Sequence, residues 1–270
     1  MNEFILSSEI LTEFELESPK DYKVNAIILL VENNRLVNGY DLLLFNKQMK
    51  NWVRDSVSYF DCKFVSFVDK DNPTEVVKSF VEDEDYTIVL YSDTPLITSS
   101  TVLDVLDYAT TKKLDFCKLP RGFIVKTSSL INGQLSLSAE PTFIEKEEFF
   151  TVFDYKTLAI AKSKIKDKII DKHLKNKVII NDINNVYIDC TVEISPLVEI
   201  CANNVLKGNT TISSGTILKE NNIIENSFIG ENCEIIYSVI KNEKIEDGTK
   251  TGPFATIFSQ NEEDLKDGEE

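Results

Sequence analysis

Histidine is almost absent from this sequence, since His173 is the only one in 270 residues. A single imidazole excludes every mechanism that needs two histidines. The five cysteines form no CxxC pair, which argues against a zinc site or a disulfide framework, so we interpret them as reduced core thiols. His173 lies in a lysine-rich segment, where we expect a solvated side chain.

Basic residues are also scarce, with 29 Lys and Arg against 45 Asp and Glu and a formal net charge of −16. Such a charge repels nucleic acid and anionic membranes. No window reaches the roughly 18 apolar residues of a membrane span, and residues 1–11 lack the features of a signal peptide. We therefore expect a cytoplasmic protein without a nucleic-acid or membrane partner.

Strand and helix patterns alternate in the first half of the chain. The apolar spacing predicts, in order, a strand at 26–31, a helix at 48–57, a strand at 63–68, a helix at 72–83 and a strand at 87–91. This βαβαβ order predicts a parallel sheet with right-handed crossovers. We expect two further strands, at 121–130 and 149–154.

An acidic residue follows the third of these strands, in the stretch IVLYSDTPLIT (88–98). In open α/β sheets the carboxyl ends of the strands face the ligand crevice, so Asp93 is a candidate to hold a metal or a nucleotide. Alternatively, Asp93 and Thr94 only cap the turn into the next helix. The local pattern leaves both interpretations open.

A lysine-rich helix is predicted at 155–177, with an apolar stripe formed by Leu158, Ala161, Ile165 and Ile169. Its eight lysines form either a solvated face or a docking surface for an anionic partner.

Aliphatic residues then recur every six positions. They are Ile188, Ile194, Ile200, Leu206, Ile212, Leu218 and Ile224, followed at slipped spacing by Ile229, Ile235, Ile240 and Ile245. A six-residue period with Gly and Asn at the corners is typical of a parallel β-helix, in which each aliphatic side chain points into a triangular prism. Residues 186–257 have room for about four coils of roughly 18 residues. The acidic segment after them is expected to be disordered.

The order of these segments resembles a known enzyme family. IVLYSDTPLIT, residues 172–255 and, more weakly, FNKQM (45–49) are similar to the bacterial bifunctional N-acetylglucosamine-1-phosphate uridyltransferase/glucosamine-1-phosphate acetyltransferase family, the UDP-N-acetylglucosamine pyrophosphorylases. The resemblance implies an α/β protein with a small Rossmann-like nucleotidyltransferase sheet, a linker helix and a short left-handed parallel β-helix. The implied bounds are 1–154 for the first domain, 155–177 for the linker, 178–258 for the β-helix and 259–270 for an acidic tail.

The same resemblance implies site residues. Asp93 matches the family's magnesium-binding Asp, and Asp154 is the candidate second ligand because Phe153 stands at the family's Asn position. Arg35 and Lys47 are the candidate phosphate-binding cations, for a sugar nucleotide or a nucleoside triphosphate. A homotrimer formed through the β-helix, or association with a full-length paralogue, is also implied.

The departures from the family pattern bear on activity. VENNRLVNGYD (31–41) stands where the family has a Gly-rich loop with Arg and Lys, and the uracil-reading Gln and Gly-Thr-Gly segment has no counterpart. The family's acetyl-CoA site lies beyond the segment matching GPFA, near the end of this sequence. We therefore expect a shortened, degenerate member with weak or lost uridylyltransferase activity and no acetyltransferase activity, acting as a binding or assembly module. The alternative is an active, divergent sugar-1-phosphate nucleotidyltransferase that uses Mg²⁺ and a nucleoside triphosphate.

Overall fold

The structure is a computed structural model that describes residues 22–32, 35–68, 70–144 and 147–258. The chain divides into two compact units: residues 50–151 with the chain before residue 35, and residues 35–49 with the chain from residue 152 onward. The predicted acidic tail lies outside the described residues. Within the described part, no helix is long and apolar enough to cross a membrane.

The first elements largely follow the predicted order. Through the long helix they are β1 (Val24–Val31), a 3-10 turn (Gly39–Asp41), β2 (Leu43–Leu44), β3 (Lys47–Gln48), α1 (Met49–Asp55), β4 (Cys62–Phe67), α2 (Pro73–Lys78), β5 (Tyr86–Tyr91), α3 (Ser99–Thr111), β6 (Phe116–Leu119), β7 (Gly122–Lys126), α4 (Thr127–Asn132), β8 (Ser138–Ala139) and α5 (Tyr155–Lys175). The predicted βαβαβ unit is confirmed, because β1 pairs in parallel with both β4 and β5.

The main sheet has the order β4-β1-β5-β7-β6-β8, and β7 runs antiparallel to both β5 and β6. Apart from Asn25, strand β1 is apolar because it is covered on both sides: Ala26 and Ile28 belong to one apolar cluster, Ile27 and Leu29 to another. The α/β architecture predicted for the first half is therefore confirmed, as a mixed sheet.

Two of the expected strands differ from the structure. Only residues 122–126 of the segment 121–130 are a strand; helix α4 follows because Thr127 and Ser129 turn inward and bind the hydroxyl of Thr87 (2.9 Å) and the carboxylate of Asp115 (2.9 Å). The strand expected at 149–154 is wrong, since these residues pair with no strand and lead into the start of α5.

Beyond α5 the chain forms short strands that stack into three sheets. They are β9 (Ile179–Ile180), β10 (Tyr187–Ile188), β11 (Glu193–Ile194), β12 (Glu199–Ile200), β13 (Val205–Lys207), β14 (Thr211–Ile212), β15 (Ile217–Leu218), β16 (Ile223–Glu225), β17 (Phe228–Ile229), β18 (Glu234–Ile235), β19 (Val239–Lys241), β20 (Lys244–Ile245), β21 (Lys250–Thr251) and β22 (Thr256–Phe258). The sheets have the orders β10-β13-β16-β19-β22, β11-β14-β17-β20 and β9-β12-β15-β18-β21, and all their pairings are parallel. This is the predicted parallel β-helix; its left-handed coiling stays a prediction.

All eleven aliphatic residues of the predicted repeat are buried. The slip in their spacing follows from the length of the coils: Ile194 pairs with Ile212 after 18 residues, Ile212 with Ile229 after 17, and Ile229 with Ile245 after 16. Losing one or two residues from a corner changes the spacing in the sequence while the inward side chains remain stacked.

Helix α5 packs on the first coil of the β-helix, within the second unit. Its predicted apolar stripe is buried, and Asn176 at its end donates a hydrogen bond to the Ile194 carbonyl (2.8 Å). The expectation that His173 is solvated is wrong. His173 is 3% exposed, because the last turn of α5 places it against Val192 and Ile194 of the first coil.

Candidate functional site

The turn after β5 is fixed by buried hydrogen bonds. Ser92 Oγ accepts from the Val31 N–H (3.0 Å) and the Ser92 N–H donates to the Leu29 carbonyl (2.9 Å), so the end of β5 is tied to β1. Thr94 Oγ1 donates to the Tyr91 carbonyl (2.8 Å). Asp93 therefore stands at the carboxyl end of a central strand, as predicted, and is 6% exposed.

Asp93 is engaged by Arg121. The Arg121 Nη2 lies 2.7 Å from Asp93 Oδ2 and its Nε lies 3.2 Å from Oδ1, a two-point pairing between a guanidinium and a carboxylate. The guanidinium carbon also lies 4.0 Å from the centroid of the Tyr91 ring. The charge of this buried carboxylate is therefore balanced by a side chain of the same unit.

This pairing bears on magnesium. Mg²⁺ requires a near-octahedral shell of oxygen ligands, usually one or two carboxylates together with waters and phosphates. Both oxygens of Asp93 already accept from Arg121, so a metal ion bound there would face the positive charge of the guanidinium. Magnesium binding by Asp93 stays a prediction.

The start of α3, directly after the Asp93 turn, carries its own anion. The N-cap of α3 is Thr98, whose Oγ1 accepts from the Thr101 N–H (3.3 Å), rather than Asp93 or Thr94. The Glu148 carboxylate accepts from the Thr98 hydroxyl (3.3 Å) and from the Thr101 hydroxyl. Helix N-termini favour negative charge, and Glu148 supplies one at the start of α3.

Asp154, the other candidate ligand, is the N-cap of α5. Its Oδ1 accepts from the Thr157 N–H (2.8 Å), while its own N–H donates to Thr157 Oγ1 (3.0 Å), which completes a capping box. These bonds, first the Thr157 N–H and then its side chain, lower the pKa of Asp154, and the charge of Arg35 adds to the shift. Asp154 belongs to the second unit and Asp93 to the first.

The candidate phosphate-binding cations also lie in the second unit. Arg35 is exposed and acts on Asp154. Lys47 lies on the β2–β3 hairpin, where it pairs with Leu44. The hairpin contacts the first coil of the β-helix, since Phe45 stacks on Tyr187 with 5.1 Å between ring centroids. The structure thus gives this hairpin a packing role, and phosphate binding by either cation stays a prediction.

No three His, Cys, Asp or Glu side chains among the described residues lie close enough together to hold a metal ion. Sequence reasoning missed Arg121, which pairs with Asp93, and Glu148, which lies at the start of α3. Neither lies in a motif, and only the pairing of β7 with β5 brings Arg121 to a residue 28 positions earlier.

Solved structures with some likeness to this chain include the following two. Molybdopterin-guanine dinucleotide biosynthesis protein A from Archaeoglobus fulgidus is 12% identical with a TM-score of 0.41, over 53% of this chain and 99% of that protein. A CMP:2-keto-3-deoxy-manno-octonic acid synthetase complexed with CTP is 11% identical with a TM-score of 0.40, over 54% and 99%. TM-scores this low support no inference about this chain.

Sequence comparison gives a clearer relationship, although no protein-family model matches the chain. The bifunctional protein GlmU of Streptococcus gordonii is 39% identical over 116 residues, 43% of this chain and 25% of that protein. The bifunctional protein GlmU of a Nostoc species is 36% identical over 111 residues, 41% of this chain and 25% of that protein. The matches thus span about a quarter of the length of these curated relatives. The chain is therefore a GlmU-like protein, related to the bifunctional GlmU proteins over about two fifths of its own length.

Proposed function

We propose that this chain is a sugar-nucleotide pyrophosphorylase-related binding and assembly module with weak or lost uridylyltransferase activity. The observation that carries the proposal is the two-point pairing of Arg121 with Asp93. Transfer of a nucleotidyl group needs cations aimed at the triphosphate as its charge redistributes. Here the cation beside the strand-end carboxylate is directed at that carboxylate instead.

The charges around this region support the same proposal. Glu148 lies at the N-terminus of α3, and Glu32 follows β1, where a phosphate-binding loop would need positive charge. A sugar nucleotide or nucleoside triphosphate would meet these carboxylates at the strand ends. We therefore expect weak nucleotide affinity, in a protein that we still place in the cytoplasm on the grounds of composition.

The alternative function is an active, divergent sugar-1-phosphate nucleotidyltransferase that uses Mg²⁺. The observation that favours it is the position of Asp93 itself, at the carboxyl end of a central strand, which is the ligand-facing edge of open α/β sheets.

An assay for pyrophosphate release separates the two functions. The chain would be mixed with UTP, N-acetylglucosamine 1-phosphate and Mg²⁺, while isothermal titration measures binding of UTP and UDP-N-acetylglucosamine. We expect release at or near background. Turnover on the order of 1 to 1000 per second, the range ordinary for enzymes, would contradict the proposal and support the alternative.

We also propose homotrimeric assembly through the β-helix, with association with a full-length paralogue as the other possibility. An apolar row on the outside of one sheet supports self-association: Tyr187, Val205, Ile223 and Val239 are in register, and Ile223 is 39% exposed. Sedimentation should give a mass about three times the 30.7 kDa of one chain, and Ile223→Lys should lower it. Phe228→Lys, at a similarly exposed position on the neighbouring sheet, is the matched control. A species of 30.7 kDa at micromolar concentration would contradict the trimer.

A further inference from the structure

The charge of the Asp93 carboxylate is buried and is costly without a nearby cation. Its side chain is 9% exposed, and the flanking Ser92 and Thr94 are fully buried. A buried carboxylate without a counter-ion is strongly destabilising, because the protein cannot replace the hydration that the charge has lost. A positive group beside the charged Asp93 therefore offsets this cost in the folded state.

The fold supplies Arg121 through a close backbone approach. Gly122, the first residue of β7, pairs with Leu90, and a Cβ atom at Gly122 would lie 2.5 Å from the Val89 carbonyl oxygen. Its φ of +133° is also a conformation that other residues rarely adopt. Glycine thus lets β7 close on β5, and this places the preceding residue, Arg121, beside Asp93.

Tyr91 completes the arrangement. Its ring lies under the guanidinium, and it is itself packed edge-on against Phe67, with 5.5 Å between ring centroids. A planar guanidinium suits both contacts, since it forms two parallel hydrogen bonds while stacking on a ring. A compact hydrated cation such as Mg²⁺ or Lys cannot make both.

We infer that Arg121 is a built-in replacement for a divalent cation at Asp93. In the native protein it keeps the carboxylate closed to metal ions, and a divalent cation takes its place once the guanidinium is removed. The two compete for the same carboxylate, because a guanidinium and a divalent cation beside a single buried negative charge repel each other. The inference does not depend on the proposed function, since it concerns the counter-ion of Asp93 and not turnover.

The test compares thermal unfolding of the full chain in EDTA and in about 10 mM MnCl₂ at constant ionic strength. Native protein should show the same melting temperature in both and no saturable Mn²⁺ site by electron paramagnetic resonance. Arg121→Gln should melt lower in EDTA, recover saturably with Mn²⁺ and bind a single Mn²⁺. Adding Asp93→Asn to that variant should abolish both the recovery and the binding. Arg54→Gln, which removes an exposed arginine 3.9 Å from Asp55, should behave like native protein.

Several results would overturn the inference. One is Mn²⁺ binding by the native protein that disappears in Asp93→Asn, because Arg121 would then leave the carboxylate open. Another is an Arg121→Gln protein that Mn²⁺ does not stabilise. If that variant does not fold in EDTA, refolding in about 10 mM MnCl₂ must recover it, and failure to do so counts equally against the inference. Pyrophosphate release by the native protein would contradict the proposed function but leave this inference standing.

Discussion

The buried His173 predicts a specific dependence of stability on pH. Burial against the first coil, with a smaller contribution from the charge of Lys172, lowers the pKa of His173 from 6.5 to about 4. Between these values the unfolded chain binds a proton that the native protein does not bind. Acidification therefore destabilises the fold, and the loss begins as pH falls below the unfolded pKa and is complete below the folded one.

The size of the effect follows from the shift. Each pH unit within the window costs about 1.4 kcal/mol, so the total loss is on the order of 3 kcal/mol by pH 4. Glu193 and Lys172 are the charged residues that line the cavity beside His173.

The assay is simple because the chain has one histidine. An untagged sample gives one set of imidazole proton signals, whose pH titration reports the native pKa directly. Urea unfolding at about pH 7.5 and about pH 5 then measures the stability change, which should be on the order of 2 kcal/mol. His173→Phe replaces the imidazole with an apolar ring of similar size, so the contribution of His173 to the pH dependence of stability should vanish. A native pKa near 6.5, or an unchanged pH dependence in His173→Phe, would refute the reasoning.

Three further predictions concern the β-helix and its helix. Ile212 is fully buried, and burial of its side chain stabilises the fold by roughly 1.5 to 3 kcal/mol. Ile212→Asp should therefore unfold the second unit, as measured by circular dichroism, whereas Lys219→Asp should lower the free energy of unfolding by less than about 0.5 kcal/mol. Equal effects of the two substitutions would contradict the inward position of Ile212. In urea titrations, Asp154→Ala should lower the free energy of unfolding by about 1 kcal/mol, and Asp154→Asn by far less, because asparagine caps a helix almost as well as aspartate. A similar loss in both variants would argue against a capping role for Asp154. Leu197 is 63% exposed at φ +65°, a conformation that asparagine adopts more readily than leucine. Leu197→Asn should therefore raise the free energy of unfolding by about 0.5 to 1 kcal/mol and the melting temperature with it. A lower melting temperature would show that the Leu197 side chain contributes packing.

The β-helix could be predicted from the sequence because its core repeats one requirement, an inward aliphatic residue such as Ile200 or Ile212, at a fixed interval. The burial of His173 was also within reach, since it follows Ile169 by four residues and continues the stripe of α5. Because lysines flank His173 in the sequence, we expected it on the solvent-exposed face of α5, whereas it lies on the buried face.

The Asp93 region was harder to predict. A strand-end carboxylate can be recognised from local sequence, but its partner depends on which strand lies beside it. The pairing of β7 with β5 is antiparallel and interrupts an otherwise parallel pattern, and the segment 121–130 looks like one uniform strand. Arg121 therefore gave no local signal of its position.

Asn176 and the end of α5 have a consequence for aggregation. Strands β10 and β11 begin their sheets, and β11 presents backbone carbonyls with no earlier coil to pair with. Such an edge is a template for strands of other molecules. Asn176 satisfies the Ile194 carbonyl on this edge, and Lys166 of α5 satisfies the Asn184 carbonyl (2.6 Å). The helix thus prevents end-to-end stacking at the first coil, as the polar terminal repeats of solenoid proteins do.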